Sequence, residues 1–214
     1  MHTLLYALAL ASVALAAPLP SQNSTNPSAD SNSANFAAAP DIDVARILTA
    51  VKGATKESTD RYPTSSAQDH WAEIYKDWSA LEHVSVYHFI ADMDIDCDGA
   101  DANFVRGTGG DPNTGWDHHL DASKVPWYVI PEKFAYDKNH EGHYIKPNAP
   151  GAIICDGKMF YAIFGDSKYQ KTEVIGEGSL LLGKTCFPKD GISGNNGHGP
   201  RDVACGSILP THKQ

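Results

Sequence analysis

The sequence predicts an α+β fold that is mainly β: a single compact β domain flanked by two N-terminal helices, with a small six-stranded barrel as one arrangement of its strands. Three observations support this prediction. Apolar residues recur at helical spacing before residue 82, apolar and polar residues alternate from Val84 onward, and an Asp-Gly pair separates two later apolar runs.

The chain begins with a segment that is typical of a cleaved secretory signal. Residues 4–17 form a short apolar run that ends in Ala14-Leu15-Ala16, a pattern that suits signal peptidase. The run is too short to span a bilayer. Residues 18–40 are rich in Ser, Asn and Ala and are predicted to be a disordered leader or propeptide. We therefore expect a secreted, extracellular protein with a signal peptide at 1–17, a leader at 18–40 and one folded domain at 41–214.

Two helices are predicted before the β region. Over residues 41–54, apolar residues recur on one face, and Asp41 and Asp43 suit the positive N-terminal end of a helix. Over residues 67–81, an apolar stripe follows two serines that could cap a helix. The members of this stripe are Trp71, Ile74, Tyr75 and Trp78. We interpret it as core packing in preference to a sugar-binding platform.

The β region contains four clear strand patterns and a hairpin. The strands are predicted over residues 84–91, 127–130, 151–155 and 159–164. Asp156-Gly157 separates the last two, and a type I′ hairpin turn needs the positive φ that such residues allow. Short apolar runs at 174–175 and 179–182 flank Glu177 as further strand candidates. The glycine-rich stretch 189–199 is predicted to be a loop.

Cysteine content and charge indicate the environment and the partner. The even count of Cys97, Cys155, Cys186 and Cys205 in a secreted chain predicts two disulfides, in any of three pairings. None lies in a Cys-x-x-Cys arrangement, so zinc is not indicated. The chain has 26 acidic and 17 basic residues, a net charge of -9. Such a surface repels nucleic acid and anionic membranes and attracts a polycation. We expect a monomer without a cofactor.

Two carboxylates, Asp166 and Glu177, stand beside glycines at the edges of apolar runs. Two acids across a cleft are the minimum for hydrolysing a glycosidic bond. Glu177 has apolar neighbours, and burial raises a carboxyl pKa, which suits a general acid. Asp166 lies in a more polar setting beside Lys168, which suits an ionised general base. The alternative is that both acids are ordinary turn residues.

An aspartate run precedes this region. If the chain is extended there, Asp92, Asp94, Asp96 and Asp98 share one face, where they would suit a cationic polymer. A solvated strand edge is an equal alternative. A calcium loop fits poorly, because its closing ligand would fall at Val105. One of these aspartates could also be the true partner of Glu177.

The histidines do not form a recognised metal-binding pattern. His118 and His119 are adjacent, and adjacent strand residues point to opposite faces. His140 and His143, with Asp137, lie in a stretch whose composition favours a loop. No phosphate-binding loop, dinucleotide fingerprint or Gly-x-Ser-x-Gly elbow is present.

Three motifs in order carry a family resemblance: Asp92 to Gly99, Phe160 to Leu182, and Thr185-Cys186-Phe187-Pro188 running into Gly194 to His198. With these motifs the chain resembles the secreted fungal endo-chitosanases of glycoside hydrolase family 75. The resemblance implies endo-hydrolysis of β-1,4-linked glucosamine polymers with inversion at the anomeric carbon. It implies that Asp166 and Glu177 are the essential acids, and that Asp92, Asp94 and Asp96 contact the substrate. The basic, aromatic loop 167–171 departs from the acidic loop of many relatives.

Two alternatives remain open at this point. The chain could be a secreted acidic lectin whose aromatic residues bind sugar without hydrolysis; the candidates are Trp116, Trp127, Tyr128 and Tyr136. It could also be a hydrolase of chitin or β-glucan. Release of reducing ends from chitosan would distinguish a hydrolase from a lectin. Turnover on chitosans of rising acetylation would distinguish the possible substrates.

Overall fold

The computed structural model describes residues 35–65, 68, 70–82, 84–97, 120–136, 145–168, 172–193 and 198–210 of the 214-residue chain. Nine strands and three short helices lie within these residues. The strands are β1 Glu57–Pro63, β2 Trp71–Trp78, β3 Val84–Met93, β4 Ile95–Asp96, β5 Trp127–Pro131, β6 Pro150–Cys155, β7 Lys158–Lys168, β8 Gly178–Ser179 and β9 His198–Pro210. The helices are α1 Val44–Lys52, α2 Glu132–Tyr136 and α3 Leu180–Cys186.

The nine strands form one mixed sheet in the order β1-β2-β3-β9-β6-β7-β5-β8-β4. Strand β5 runs parallel to β7, and β4 runs parallel to β8. Only Asp94 separates β3 from β4, yet these strands are the third and the last in the sheet. The sheet must therefore curl until its last strand returns beside β3. The predicted mainly β class is confirmed, but the six-stranded barrel is wrong, because the sheet is a nine-stranded curled half-barrel.

The two faces of the sheet are covered by different clusters. The main core lies on one face and includes Tyr128 and Ile130 of β5. The alternate residues of the same strand, Trp127 and Val129, belong to a separate cluster with Leu120 and Ala122. We call this group the Trp127 cluster and its side of the sheet the outer face. Alternation along β5 thus separates two apolar layers, as expected for a strand covered on both sides.

The predicted hairpin and first helix are confirmed. Strands β6 and β7 pair up to Cys155 and Lys158, and the two residues between them have positive φ, 45° at Asp156 and 71° at Gly157. Helix α1 begins after Asp43, whose carboxylate accepts a hydrogen bond from the Arg46 N–H at 3.0 Å. Strands β3, β5 and β6 also lie where they were predicted.

Three local predictions are wrong. The second helix, predicted over residues 67–81, is strand β2, in which the buried Ala72 and Ile74 alternate with more exposed residues. The apolar run 179–182 leads into helix α3, because the Ser179 hydroxyl accepts from the Leu182 N–H and caps a helix there. The predicted loop 189–199 ends earlier, because β9 begins at His198. Strand β1 was not predicted.

The prediction of two disulfides is also wrong. Cys155 and Cys186 form a disulfide that joins β6 to the end of α3. Cys97 and Cys205 are buried thiols. Before α1, the Ala38 N–H donates to the Met159 carbonyl oxygen at 2.9 Å, so that the last part of the predicted leader, residues 18–40, packs on the hairpin.

The predicted signal peptide, residues 1–17, lies outside the described residues, as does most of the predicted leader. Among the helices that the structure describes, none is long and apolar enough to cross a membrane.

Candidate active site

Asp166 and Glu177 lie on the two sides of strand β5, opposite the same residue. In the parallel pairing of β5 with β7, Asp166 is the register partner of Val129. On the other side of β5, the Val129 N–H donates to the Glu177 carbonyl oxygen at an N···O distance of 3.0 Å. Neighbouring strands lie about 4.8 Å apart, so the Cα atoms of the two acids are about 10 Å from each other. The structure thus brings the two predicted acids together.

Both acids belong to the outer face of the sheet. Residues that lie opposite each other on neighbouring strands project to the same face. Their shared neighbour Val129 packs in the Trp127 cluster and not in the main core. Asp166 and Glu177 are each partly exposed. This arrangement offers two carboxyl groups to solvent across one buried valine.

A change of register positions Asp166. The pairing of β7 with β5 shifts between Tyr128 and Val129, at the point where Gly165 is the extra residue. A Cβ atom on Gly165 would lie 2.5 Å from the Trp127 Cβ, so only glycine permits this close approach. After the shift, the Asp166 carboxylate accepts a hydrogen bond from the Ser167 N–H at 2.8 Å. The Gly-Asp pair in the sequence is therefore a structural unit that fixes the position of the acid.

A second glycine positions Glu177. Gly176 has a φ of 110°, and a Cβ there would lie 2.4 Å from the Asp92 carbonyl oxygen. On the other side of Glu177, the Gly178 N–H donates to the Asp94 carbonyl oxygen at 2.9 Å. Glu177 is therefore held between two glycines whose backbones pack against the end of β3. This packing explains why glycine precedes the acid.

The aspartates of the predicted stripe have different positions. Asp92 is the penultimate residue of β3, and its backbone packs against Gly176. Asp94 lies next to Glu177, because Ile95 is the parallel register partner of Gly178. The Asp96 carboxylate accepts a hydrogen bond from Trp127 Nε1 at 3.0 Å, so it stabilises the Trp127 cluster. Asp98 lies outside the described residues.

A small cavity borders the same segment on its core side. Asp92, Gly176 and Glu177 line it together with apolar core residues and Cys205, the pKa of whose thiol is raised by burial. Its volume is about 10 Å³, which is room for a water molecule but not for a sugar ring. The candidate substrate site is therefore the open outer face and not this cavity.

The structure describes only some of the other candidate residues of the sequence analysis. His118, His119, His140 and His143 lie outside the described residues, as do Asp137, Val105 and Trp116. Within the described ranges, no three His, Cys, Asp or Glu side chains are grouped so as to hold a metal ion. Tyr128 is buried in the main core, where its hydroxyl donates to the Ala149 carbonyl oxygen at 3.1 Å.

Two residues that support the site were not singled out by the sequence for this role. Trp127 is fully buried and connects β5 to the aspartate run through its indole N–H. Ser179 caps α3 and also accepts a hydrogen bond from the Trp127 N–H at 3.1 Å. The only local signal was a serine before an apolar run, which is compatible with either a strand or a helix cap.

Comparison with known proteins gives the family. Over residues 93–207, more than half of the chain, the sequence matches the family described as fungal chitosanase of glycosyl hydrolase group 75. The chain belongs to this family. The resemblance noted from the three motifs is thus confirmed, and the matched span contains both Asp166 and Glu177.

Individual relatives agree with this result. An endo-chitosanase C of Aspergillus oryzae is 41% identical over 169 residues, which cover 78% of this chain and 43% of the relative. An endo-chitosanase of Aspergillus fumigatus is 34% identical over 123 residues, which cover 52% of this chain and 51% of the relative. The chain therefore spans less than half the length of endo-chitosanase C and about half the length of the second relative.

Proposed function

We propose that this protein is a secreted, inverting endo-chitosanase that hydrolyses β-1,4-glycosidic bonds by means of Asp166 and Glu177. The observation that carries the proposal is the placement of these two acids on either side of Val129. The names of the relatives, which are all endo-chitosanases, supply the substrate class.

The spacing of the acids is compatible with inversion. In inverting glycosidases the two carboxyl groups lie roughly 6.5–9.5 Å apart, which leaves room for a water molecule beside the sugar. Retaining enzymes need a separation near 5 Å. Acids whose Cα atoms lie about 10 Å apart can hold their carboxyl groups at this wider spacing.

The reaction divides between an acid and a base. Glu177 donates its proton to the glycosidic oxygen as the bond from that oxygen to C1 breaks. Asp166 takes a proton from the water whose oxygen attacks C1 from the opposite side. The assignment of the two roles follows the sequence analysis, in which Glu177 has the more apolar neighbours.

The overall charge suits the proposed substrate. Chitosan in acid is a polycation, and a protein with a net charge of -9 attracts it over a long range. We infer that Asp92 and Asp94, which lie beside Glu177, contact glucosamine amines. Asp96 is the weakest of the three candidates for substrate contact, because its carboxylate already binds Trp127.

Replacement of each acid tests the proposal. Glu177→Gln and Asp166→Asn should each lower the release of reducing ends from chitosan by about 10²–10⁴-fold, the usual contribution of a general acid or base. Azide should restore part of the activity of the variant that lacks the base. Glu132→Gln, which removes an exposed carboxylate on α2, is the matched control and should retain activity.

The pH–rate profile separates the two roles. In the wild type, the upper limb should report the ionisation of the acid, Glu177, and should disappear in any residual activity of Glu177→Gln. An unchanged upper limb would contradict the assignment. Binding of chitosan without release of reducing ends by the wild type would contradict the hydrolase proposal and favour a lectin. Turnover on chitosans of rising acetylation would identify a preference for chitin-like substrates.

A further inference from the structure

Trp71 is an exposed tryptophan at the start of a strand. Of the described residues, only Trp71 and Tyr161 are large apolar residues that are exposed, at 44% and 37%. Tryptophan is usually buried over most of its surface. Trp71 begins strand β2, where its neighbour Ala72 is buried in the main core, so the indole lies on the outer face.

The indole of Trp71 is held in place by two contacts. Its Nε1–H donates to the Gln68 carbonyl oxygen at 3.1 Å. The Arg61 guanidinium lies over the ring, with Cζ 4.8 Å from the centroid. Arg61 in turn forms an ion pair with Glu73 at 3.5 Å, which offsets its positive charge. A ring that is already ordered loses little further conformational entropy on binding a ligand.

A chain of backbone contacts connects Trp71 to Glu177. Trp71 is the register partner of Pro63 across β1 and β2. The Pro63 carbonyl oxygen accepts a hydrogen bond from the Ile175 N–H at 3.0 Å, and Ile175 is two residues before Glu177. Adjacent chains lie about 5 Å apart and two extended residues span about 7 Å, so the Cα atoms of Trp71 and Glu177 are at most about 17 Å apart. A short run of linked sugar rings covers this distance.

We propose that Trp71 is a platform for one sugar ring of the polysaccharide, on the side of Glu177 that faces away from Asp166. This inference rests on the proposed function. The free face of the indole packs against the C–H face of a pyranose ring. A glucosamine ammonium group near the ring adds a cation–π attraction, while Arg61 occupies the opposite face. The platform binds a sugar ring of the polymer that lies beyond Glu177 and away from the bond that is cleaved.

The test compares variants on long and short substrates. Trp71→Ala should raise KM on polymeric chitosan by roughly three- to tenfold, from the loss of ring contact and cation–π attraction, with a smaller change in kcat. The increase should be smaller on a glucosamine trimer, which leaves at most two rings on the platform side of the cleaved bond. Trp71→Phe keeps a ring, so its KM should lie between that of the wild type and that of Trp71→Ala. If Trp71→Ala does not fold, the KM of Trp71→Phe tests the platform instead. Tyr161→Ala, at the other exposed aromatic residue, should leave KM unchanged.

Binding without turnover separates this inference from the proposed function. In the Glu177→Gln protein, Trp71→Ala should raise the dissociation constant for a glucosamine hexamer, measured by calorimetric titration, by about the same factor as it raises KM. If the wild type hydrolyses chitosan but neither KM nor the dissociation constant changes, the platform is refuted and the hydrolase stands. Equal losses of affinity in Trp71→Ala and Tyr161→Ala would also refute the platform, because they would indicate an effect of any exposed aromatic residue.

Discussion

The burial of His88 should make the folded protein less stable in acid. It lies on β3 with 1% of its surface exposed, and its ring packs against the rings of Tyr75 and Trp78, whose centroids are 5.7 Å and 4.3 Å away. Neither of its ring nitrogens has a hydrogen-bond partner among the described residues. A protonated imidazolium in this position would be a buried charge without a direct partner, so the folded protein favours the neutral ring.

The magnitude follows from the pKa. Burial lowers the pKa of His88 from 6.5 to about 4, although the nearby Asp77 carboxylate acts in the opposite direction. Between these two values the unfolded chain binds the proton more tightly, so the free energy of unfolding decreases as the pH falls. At about 1.4 kcal/mol per pH unit, the full effect is about 3 kcal/mol. It begins below pH 6.5 and is nearly complete at pH 4.

Urea unfolding of His88→Phe tests this prediction. At pH 7 the variant should lie within about 1 kcal/mol of the wild type, because phenylalanine keeps the ring stacking and removes two unpaired polar atoms. Between pH 7 and pH 4 the wild type should lose about 3 kcal/mol more than the variant. His70→Phe, which removes an exposed histidine, is the control, and its stability should depend on pH as that of the wild type does. If the free energy of unfolding decreases equally in the wild type and in His88→Phe between pH 7 and pH 4, the reasoning is refuted.

Three further predictions concern the backbone, the disulfide and the charge. Gly176→Ala should cost about 2–4 kcal/mol and lower kcat, since its Cβ would meet the Asp92 carbonyl oxygen and displace Glu177. Gly191→Ala, with positive φ but open space, should cost only about 1–2 kcal/mol in the same denaturant titration and retain activity. Replacing Cys155 and Cys186 by Ser should lower stability by about 3–4 kcal/mol in the chain-entropy picture, given their separation of 31 residues; an unchanged unfolding midpoint would contradict this. Rising salt should increase KM on chitosan more than it changes kcat, and a salt-independent KM would argue against electrostatic attraction.

Local signals predicted the parts of the fold that local chemistry determines. The Asp156-Gly157 turn is specified by the φ values it requires, and α1 is specified by its cap and its apolar face. Both features depend on residues that are close in sequence. The strands β3, β5 and β6 were recognisable for the same reason, from their own apolar patterns.

Other elements depend on partners that are distant in sequence. The spacing of Trp71, Ile74 and Trp78 fits a helix, but pairing with β1 and β3 makes the segment a strand. The run that follows Ser179 is too short for its periodicity to distinguish strand from helix. The number of strands in the sheet was not visible either, because β1 and β9 carry many polar residues and depend on their neighbours for pairing.

The candidate site shows the same division. The glycines beside Asp166 and Glu177 indicated two special backbone positions, but eleven residues of separation do not place two acids in space. Their neighbourhood arises because β5, from a distant part of the chain, lies between them. The roles of Asp92, Asp94 and Asp96 in substrate binding stay predictions, as do the acid and base assignments.

The central claim is that Asp166 and Glu177 act as a widely spaced pair on either side of Val129. Proton NMR of the first products released from chitosan tests it most directly, before mutarotation mixes the anomers. The account predicts that the new reducing ends are initially α, since a β-linkage is cleaved with inversion. Reducing ends that are initially β would require a closer pair of carboxyl groups and would contradict it.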